Sequence, residues 1–184
     1  MQGHHLILGE LVDAVTGQVL QDTHDERYRQ NLARLLMDTK GYSRTDIQSR
    51  CGLRVKAGDN CAMVKVDMAV TIAGKICMII KYGPGSLVTR HRPALAASRL
   101  LAPYQIPVVV VTNGKDADIL DGHSGEVIAN GLESIPARSE LAARCAVFLF
   151  PPIAEARAEI ESRIMYAYEV DGACPCDDSI CVLP

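Results

Sequence analysis

The sequence predicts a mixed α/β domain with one central sheet flanked by helices. Three observations predict this class. Aliphatic or alternating runs at 61–72, 75–81 and 107–112 have the length and composition of strands. Segments with helical spacing lie before, between and after them. The resulting order is helix, three strands, helix, strands and then helices, which is how a mixed sheet is built.

Each element has its own signal. Within residues 5–20, Asp13-Ala14-Val15-Thr16-Gly17 turns the chain into Val19-Leu20. A later echo, Asp121-Gly122-His123-Ser124-Gly125, leads into Val127-Ile128. In both, the Asp bonds back to turn amides and the Gly supplies a positive φ. The first helix starts at Thr23, with Glu26 placed to complete a capping box. It carries Tyr28, Leu32, Leu35 and Leu36 at helical spacing and stops at Lys40-Gly41. A strand at about 50–56 passes through a loop at 57–60 into the strand at 61–72, and Ala73-Gly74 turns into the next. Tyr82-Gly83-Pro84-Gly85-Ser86 breaks that strand. A helix at 94–101, a buried strand at 107–112 and the turn Asn113-Gly114 follow. A hairpin of 118–120 with 126–129 comes next, then helices at about 139–147 and 153–168, the last opening after Pro151-Pro152.

The 184 residues suit one domain over 1–150 with a C-terminal helix and tail over 151–184. Hydrophobic residues make up 48%, but aromatics only 4% and Trp none, so the core must be aliphatic. No apolar stretch approaches the ~18 residues of a membrane span. Met1-Gln2-Gly3-His4-His5 has no basic stretch before a long apolar run, so no signal peptide or membrane contact is expected, and the expected location is cytoplasmic. Seven cysteines in such a chain argue against a disulfide framework. Cys61, Cys77 and Cys145 sit among apolar residues as small core side chains.

Charge is unevenly distributed. Residues 40–100 hold eleven Lys/Arg against three Asp/Glu, while the segments on either side are acidic. A basic middle between acidic ends is an asymmetry that can mark a polyanion-binding face.

The residues that could carry chemistry lie on the strands at 61–72 and 75–81. Metal-dependent phosphodiester cleavage needs carboxylates to hold Mg²⁺ and a Lys near the attacking water. A hairpin can supply an Asp on one strand and, on the next, an acid and a Lys two residues apart on one face. Here Asp67 lies mid-strand and Lys81 near the end of the following strand, but the residue two before Lys81 is Ile79.

Several motifs in order carry a resemblance: Asp25-Glu26-Arg27-Tyr28-Arg29-Gln30, Lys40-Gly41-Tyr42, Val66-Asp67-Met68-Ala69-Val70, Ile79-Ile80-Lys81 and the Val-Thr-Asn-Gly ending of 107–114. Over about residues 22–130 the chain resembles the N-terminal nuclease domain of type I restriction enzyme R subunits, which also occurs free-standing. That domain belongs to the PD-(D/E)xK superfamily. The resemblance implies a restriction-endonuclease-like core, DNA as partner and a restriction-modification partner or homo-oligomer. It also implies Mg²⁺ as cofactor, with Asp67 as metal ligand, Lys81 as catalytic lysine and Glu26 as the acid of the first helix. The family pattern has Glu where this chain has Ile79, and isoleucine cannot ligate Mg²⁺. Asp59 or Glu26 stands as a substitute acid.

Two further segments suggest ligands. Directly after Lys81, Gly83 and Gly85 open the backbone to an anion, and Arg90, His91 and Arg92 add donors at a helix start. With Lys65 they form the expected nucleic-acid-binding set. Near the C-terminus, Cys174, Cys176 and Cys181 fall within eight residues, close enough to share Zn²⁺ or an iron–sulfur cluster. A fourth ligand could be Cys51, Cys145, His123 or a tail Asp. Some superfamily nucleases hold a cluster with one cysteine before the core and three after it, a role to which Cys51 or Cys61 would correspond. Three readings follow: a nucleic-acid-binding protein with a degenerate nuclease site, an active Mg²⁺-dependent endonuclease using a migrated acid, and an interaction module organised by a C-terminal metal.

Overall fold

The computed structural model describes residues 7–171 and, as one further strand, Cys181–Leu183. A short hairpin, β1 (Glu10–Val12) and β2 (Val19–Gln21), precedes the first helix, α1 (His24–Arg34). The main sheet then runs β3 (Ile47–Ala57), β4 (Asn60–Ile72), β5 (Lys75–Tyr82), β6 (Val108–Thr112), β7 (Ala117–Asp121) and β8 (Val127–Asn130), in that spatial order. Neighbours are antiparallel except β5 and β6. A parallel pair needs a crossover, and α2 (Val88–Leu100) provides it. Helices α3 (Arg138–Val147) and α4 (Glu155–Tyr166) follow, and β9 (Cys181–Leu183) pairs with β4. The fold is α/β, with a mixed sheet between two helical layers, as expected of a restriction-endonuclease-like domain.

Local chemistry sets the turns. Asp13 Oδ1 accepts the amides of Val15 and Thr16 at 2.8 and 2.9 Å. Asp121 Oδ1 does the same for His123 and Ser124 at 3.0 and 2.9 Å. The echoed motifs therefore fold as the same turn. Thr23 Oγ1 caps α1 by accepting the Glu26 amide at 3.1 Å. The reciprocal half of the capping box does not form, because the Glu26 carboxylate turns to Gln30 and Arg50 instead. A charged partner outcompetes a backbone amide. Helix α2 begins at Val88 rather than at 94, so Pro93 lies inside it and Arg90 to Arg92 sit in its first turns.

Two cores flank the sheet. One gathers Ala94, Leu95, Ala96 and Ala97 of α2 with Met165 and Tyr166 of α4, over Cys51, Leu53, Val55, Ala62, Val64, Val66 and Ile79. Although α4 falls in the C-terminal segment, it packs into this core. The other gathers Leu32 and Ala33 of α1 and Leu36 of the π-helical turn that continues it with Leu141 of α3, over Ile47, Met68, Val70, Met78 and Ile80. Side chains alternate along a strand, so Ile47 and Cys51 should share a face, as should Val66 and Met68. They do not. Arg50 has a left-handed φ of 53°, and the β3–β4 register passes from Ser49↔Met68 to Cys51↔Val66 without an Arg50–Asp67 pair. Both strands turn over at Arg50 and Asp67. The layer of α1 and α3 covers the sheet up to that point.

Candidate functional site

The strands also part at this kink. β4 pairs with β5 no further than Met68↔Ile80, while β5 stays paired to β6 through Tyr82↔Thr112. Asp67 and Lys81 flank the resulting gap. Asp67 Oδ2 accepts the Tyr82 amide at 2.9 Å, replacing the backbone bond that the parted strand cannot offer. Its Oδ1 accepts from Arg29 Nε at 2.7 Å. Lys81 Nζ donates to the Lys65 carbonyl and to Glu169 Oε2, both at 3.1 Å. The lysine thus bridges the gap and ties it to the turn that continues α4.

Helix α1 presents Asp25, Glu26, Tyr28 and Arg29 to the gap. Arg29 lies 2.7 Å from Asp67 and 3.6 Å from Glu26, between the two carboxylates. Its guanidinium also stacks 5.3 Å from the centre of the Tyr82 ring. Tyr82 Oη donates to Asp25 Oδ1 at 3.0 Å, and its ring stacks on Tyr28 at 5.8 Å. Tyr28 in turn covers Gly114, where a Cβ would meet the ring at 2.5 Å, so that turn admits only glycine. Arg50, aimed by its left-handed backbone, joins Asp13 and Glu26 at 2.5 Å each. Burial pushes the Asp13 carboxyl up, but Arg50 and the amides of Thr16 and Val15 outweigh it and hold the group below the usual carboxylate range. Burial alone would weaken the charge on Arg29, yet Asp67 and Glu26 keep its pKa raised. A small pocket bordered by Asp13, Arg29, Arg50 and Asp67 has a volume of about 10 Å³, on the order of one water molecule.

The structure joins Glu26 and Asp67 through Arg29, while Lys81, at the same gap, meets Glu169 and the Lys65 carbonyl instead. Ile79 is fully buried in the α2–α4 core. Asp59 lies at the β3–β4 turn, eight strand positions from Asp67, or roughly 27 Å along β4, and cannot reach the gap. Among the described residues, no three His, Cys, Asp or Glu side chains are placed to share a metal ion.

The loop after Lys81 is used internally. The Gly83 amide donates to the Thr112 carbonyl at 3.0 Å, and the Arg90 guanidinium occupies the space where a Cβ at Gly83 would stand. Arg90 also donates to the Pro84 carbonyl, His91 meets Asp118 at 2.7 Å, and Arg92 meets Glu161 at 2.5 Å. Of the expected nucleic-acid-binding set, only Lys65 has a side chain that is exposed and in no salt bridge among the described residues. Cys174 and Cys176 lie outside the described residues, and of Cys181 only the strand is described. Cys51 is buried on one face of the sheet, whereas Cys61 lies on the opposite face beside Arg54.

Sequence reasoning passed over Arg29, Arg50, Asp13, Glu169 and Tyr82. Arg29 was within reach, since it follows Glu26 by one helical turn. Nothing local announced Arg50 or Glu169. No curated protein and no solved structure gives a significant match. A family model described as the type I restriction enzyme R protein N terminus matches residues 24–136, more than half of the chain and all of the elements around the gap except β1, β2 and α4. The chain belongs to the family of the type I restriction enzyme R protein N terminus.

Proposed function

We propose that this domain binds DNA through a nuclease-type core whose cleavage site has been converted into an ion-pair network. The family is that of a DNA-restriction enzyme subunit, so a DNA-related role is the starting point. One observation carries the rest: both oxygens of the Asp67 carboxylate are engaged, by Arg29 and by the Tyr82 amide. The position that would carry the second acid is Ile79, sealed in the apolar core. A hard cation such as Mg²⁺ requires several oxygen ligands, and this donor set does not fit one. Arg29 stands between Glu26 and Asp67 and supplies positive charge where a bridging cation would otherwise supply it. Lys81 remains at the gap but is bonded to Glu169. A restriction-modification partner of the same system is the natural assembly for such a binder.

The test follows single- and double-stranded DNA with Mg²⁺ or Mn²⁺, measuring binding and cleavage in the same samples for the native protein, Asp67→Ala and Lys81→Ala. Binding without cleavage is expected. Divalent-dependent cleavage that disappears in Asp67→Ala would sink the proposal, since an acid elsewhere would then complete a working site.

A further inference from the structure

The strand reversal at Arg50 and Asp67 has a geometric result. Beyond it, the face of β3 and β4 that looks away from α2 and α4 carries Gly52, Arg54 and Lys56 on one strand and Cys61, Met63 and Lys65 on the other. The register places Gly52 opposite Lys65, Arg54 opposite Met63 and Lys56 opposite Cys61, so these six side positions share one side of the sheet. The layer of α1 and α3 ends at the kink. No described helix covers this face, and Gly52, Arg54, Lys56 and Lys65 are exposed.

The charge on this face is of one sign. None of Arg54, Lys56 and Lys65 is in a salt bridge among the described residues, and no acid lies among the six positions. The nearest carboxylates in sequence are Asp59, at the hairpin tip, and Asp67, which is held by Arg29 and the Tyr82 amide. The contrast with Arg92, Arg99 and Arg157 is direct, because all three are committed to Glu161. Along a strand, positions two apart are separated by about 6.7 Å, close to two nucleotide rises of a B-form strand at about 3.4 Å each. Three cations of the basic middle of the sequence thus stand, without an ion-pair partner among the described residues, on one flat surface next to the gap. Gly52 keeps the centre of that surface low, with the Met63 methyl lying across it, 3.1 Å from where a Cβ would stand.

We infer that this bare half of the β3–β4 hairpin is the DNA-backbone contact of the domain, with Arg54, Lys56 and Lys65 meeting phosphates. The inference rests on the DNA-binding reading above and replaces the start of α2 as the contact surface. It predicts sequence-independent affinity, since phosphates carry no base information.

The experiment is fluorescence anisotropy on a short random-sequence duplex, across roughly 50 to 200 mM salt. It compares the native protein with Arg54→Ala/Lys56→Ala/Lys65→Ala and with a control, Arg44→Ala/Lys115→Ala/Arg163→Ala, that removes three exposed cations elsewhere. Each lost phosphate contact lowers the log–log salt slope by about 0.9. The face variant should therefore lose about 2 to 3 from the slope and at least about tenfold in affinity, with the control close to native. All substitutions are at exposed positions, and unchanged thermal melts confirm that the fold is intact. If the native protein binds duplex but the face variant keeps the native slope, or the control loses as much, this face is wrong and the DNA-binding reading stands. If the native protein binds no duplex at all, both fall together.

Discussion

Two networks of buried carboxylates and arginines can be compared in this fold, one around Glu161 on α4 and one around Asp67 at the strand kink, and their charge balances are opposite. Glu161 is fully buried and meets Arg92, Arg99 and Arg157 at 2.5, 2.8 and 2.6 Å. Burial pushes its carboxyl up, but the bond from Arg92 and the charges of Arg99 and Arg92 hold it below the usual range. At the kink the proportion is reversed. Asp13, Glu26 and Asp67 share only Arg29 and Arg50. One acid among three arginines is a rivet between α2 and α4. Three acids around two arginines is a costlier arrangement than packing needs, because like charges held close repel. An excess of acid at a strand gap, restrained by side-chain cations, is what the proposed conversion of a cation site would leave behind. The first network is explained by the fold alone, and the second is not.

The largest effect should come from breaking the rivet. Glu161→Ala leaves Arg99 and its neighbours facing one another around a buried void. Removing one partner of a buried ion pair costs about 3–5 kcal/mol. A chain of this size loses about 2–4 °C of melting temperature per kcal/mol. Glu161→Gln, which keeps the shape and part of the hydrogen bonding, should cost less. A melt within about 2 °C of native for Glu161→Ala would show that α2 and α4 hold together without the cluster.

The second effect sharpens the comparison at the kink. Urea unfolding of Arg29→Ala, Asp67→Asn and the double variant measures how strongly the two residues depend on each other. Groups in one network couple by about 0.5–3 kcal/mol, and the upper half of that range is expected here because Asp67 is nearly buried. Asp67→Asn keeps an oxygen for the Tyr82 amide, so its cost isolates the charge. Coupling near zero would mean that Arg29 is not the cation that balances Asp67.

Different parts of these networks were legible in the sequence to different degrees. Hydrophobic periodicity is local, so the helices and the sheet strands could be read, and paired Asp and Gly residues marked both turns. Asp67 and Lys81 fell at the expected strand positions, and Thr23 capped α1. Ion pairs have no period. Lys81 finds Glu169 across 88 residues, and Arg92 finds Glu161 across 69. For the same reason Arg90, His91 and Arg92 read as free donors, although each is turned inward. The early start of α2 was masked by Pro93, which is more often read as a boundary than as an interior residue. The strand reversal was invisible because its cause is one backbone angle at Arg50, a residue type that gives no warning of a left-handed conformation.

That angle supports the smallest and most specific prediction. In an ordinary strand, Gly is less stable than Ala by roughly 0.5–1 kcal/mol, because it loses more freedom on folding. At a left-handed position the order reverses, since Cβ crowds the following carbonyl at a cost of roughly 1–2 kcal/mol. Arg50→Gly and Arg50→Ala both lose the bonds to Asp13 and Glu26, so their difference cancels the ion pairs and leaves the backbone. With φ at 53°, Arg50→Gly should be the more stable of the two by about 1 kcal/mol, read as a higher urea midpoint. The reverse order would mean that β3 passes through position 50 as a regular strand. The faces of β3 and β4 would then not exchange, and the bare basic surface would lose its structural cause.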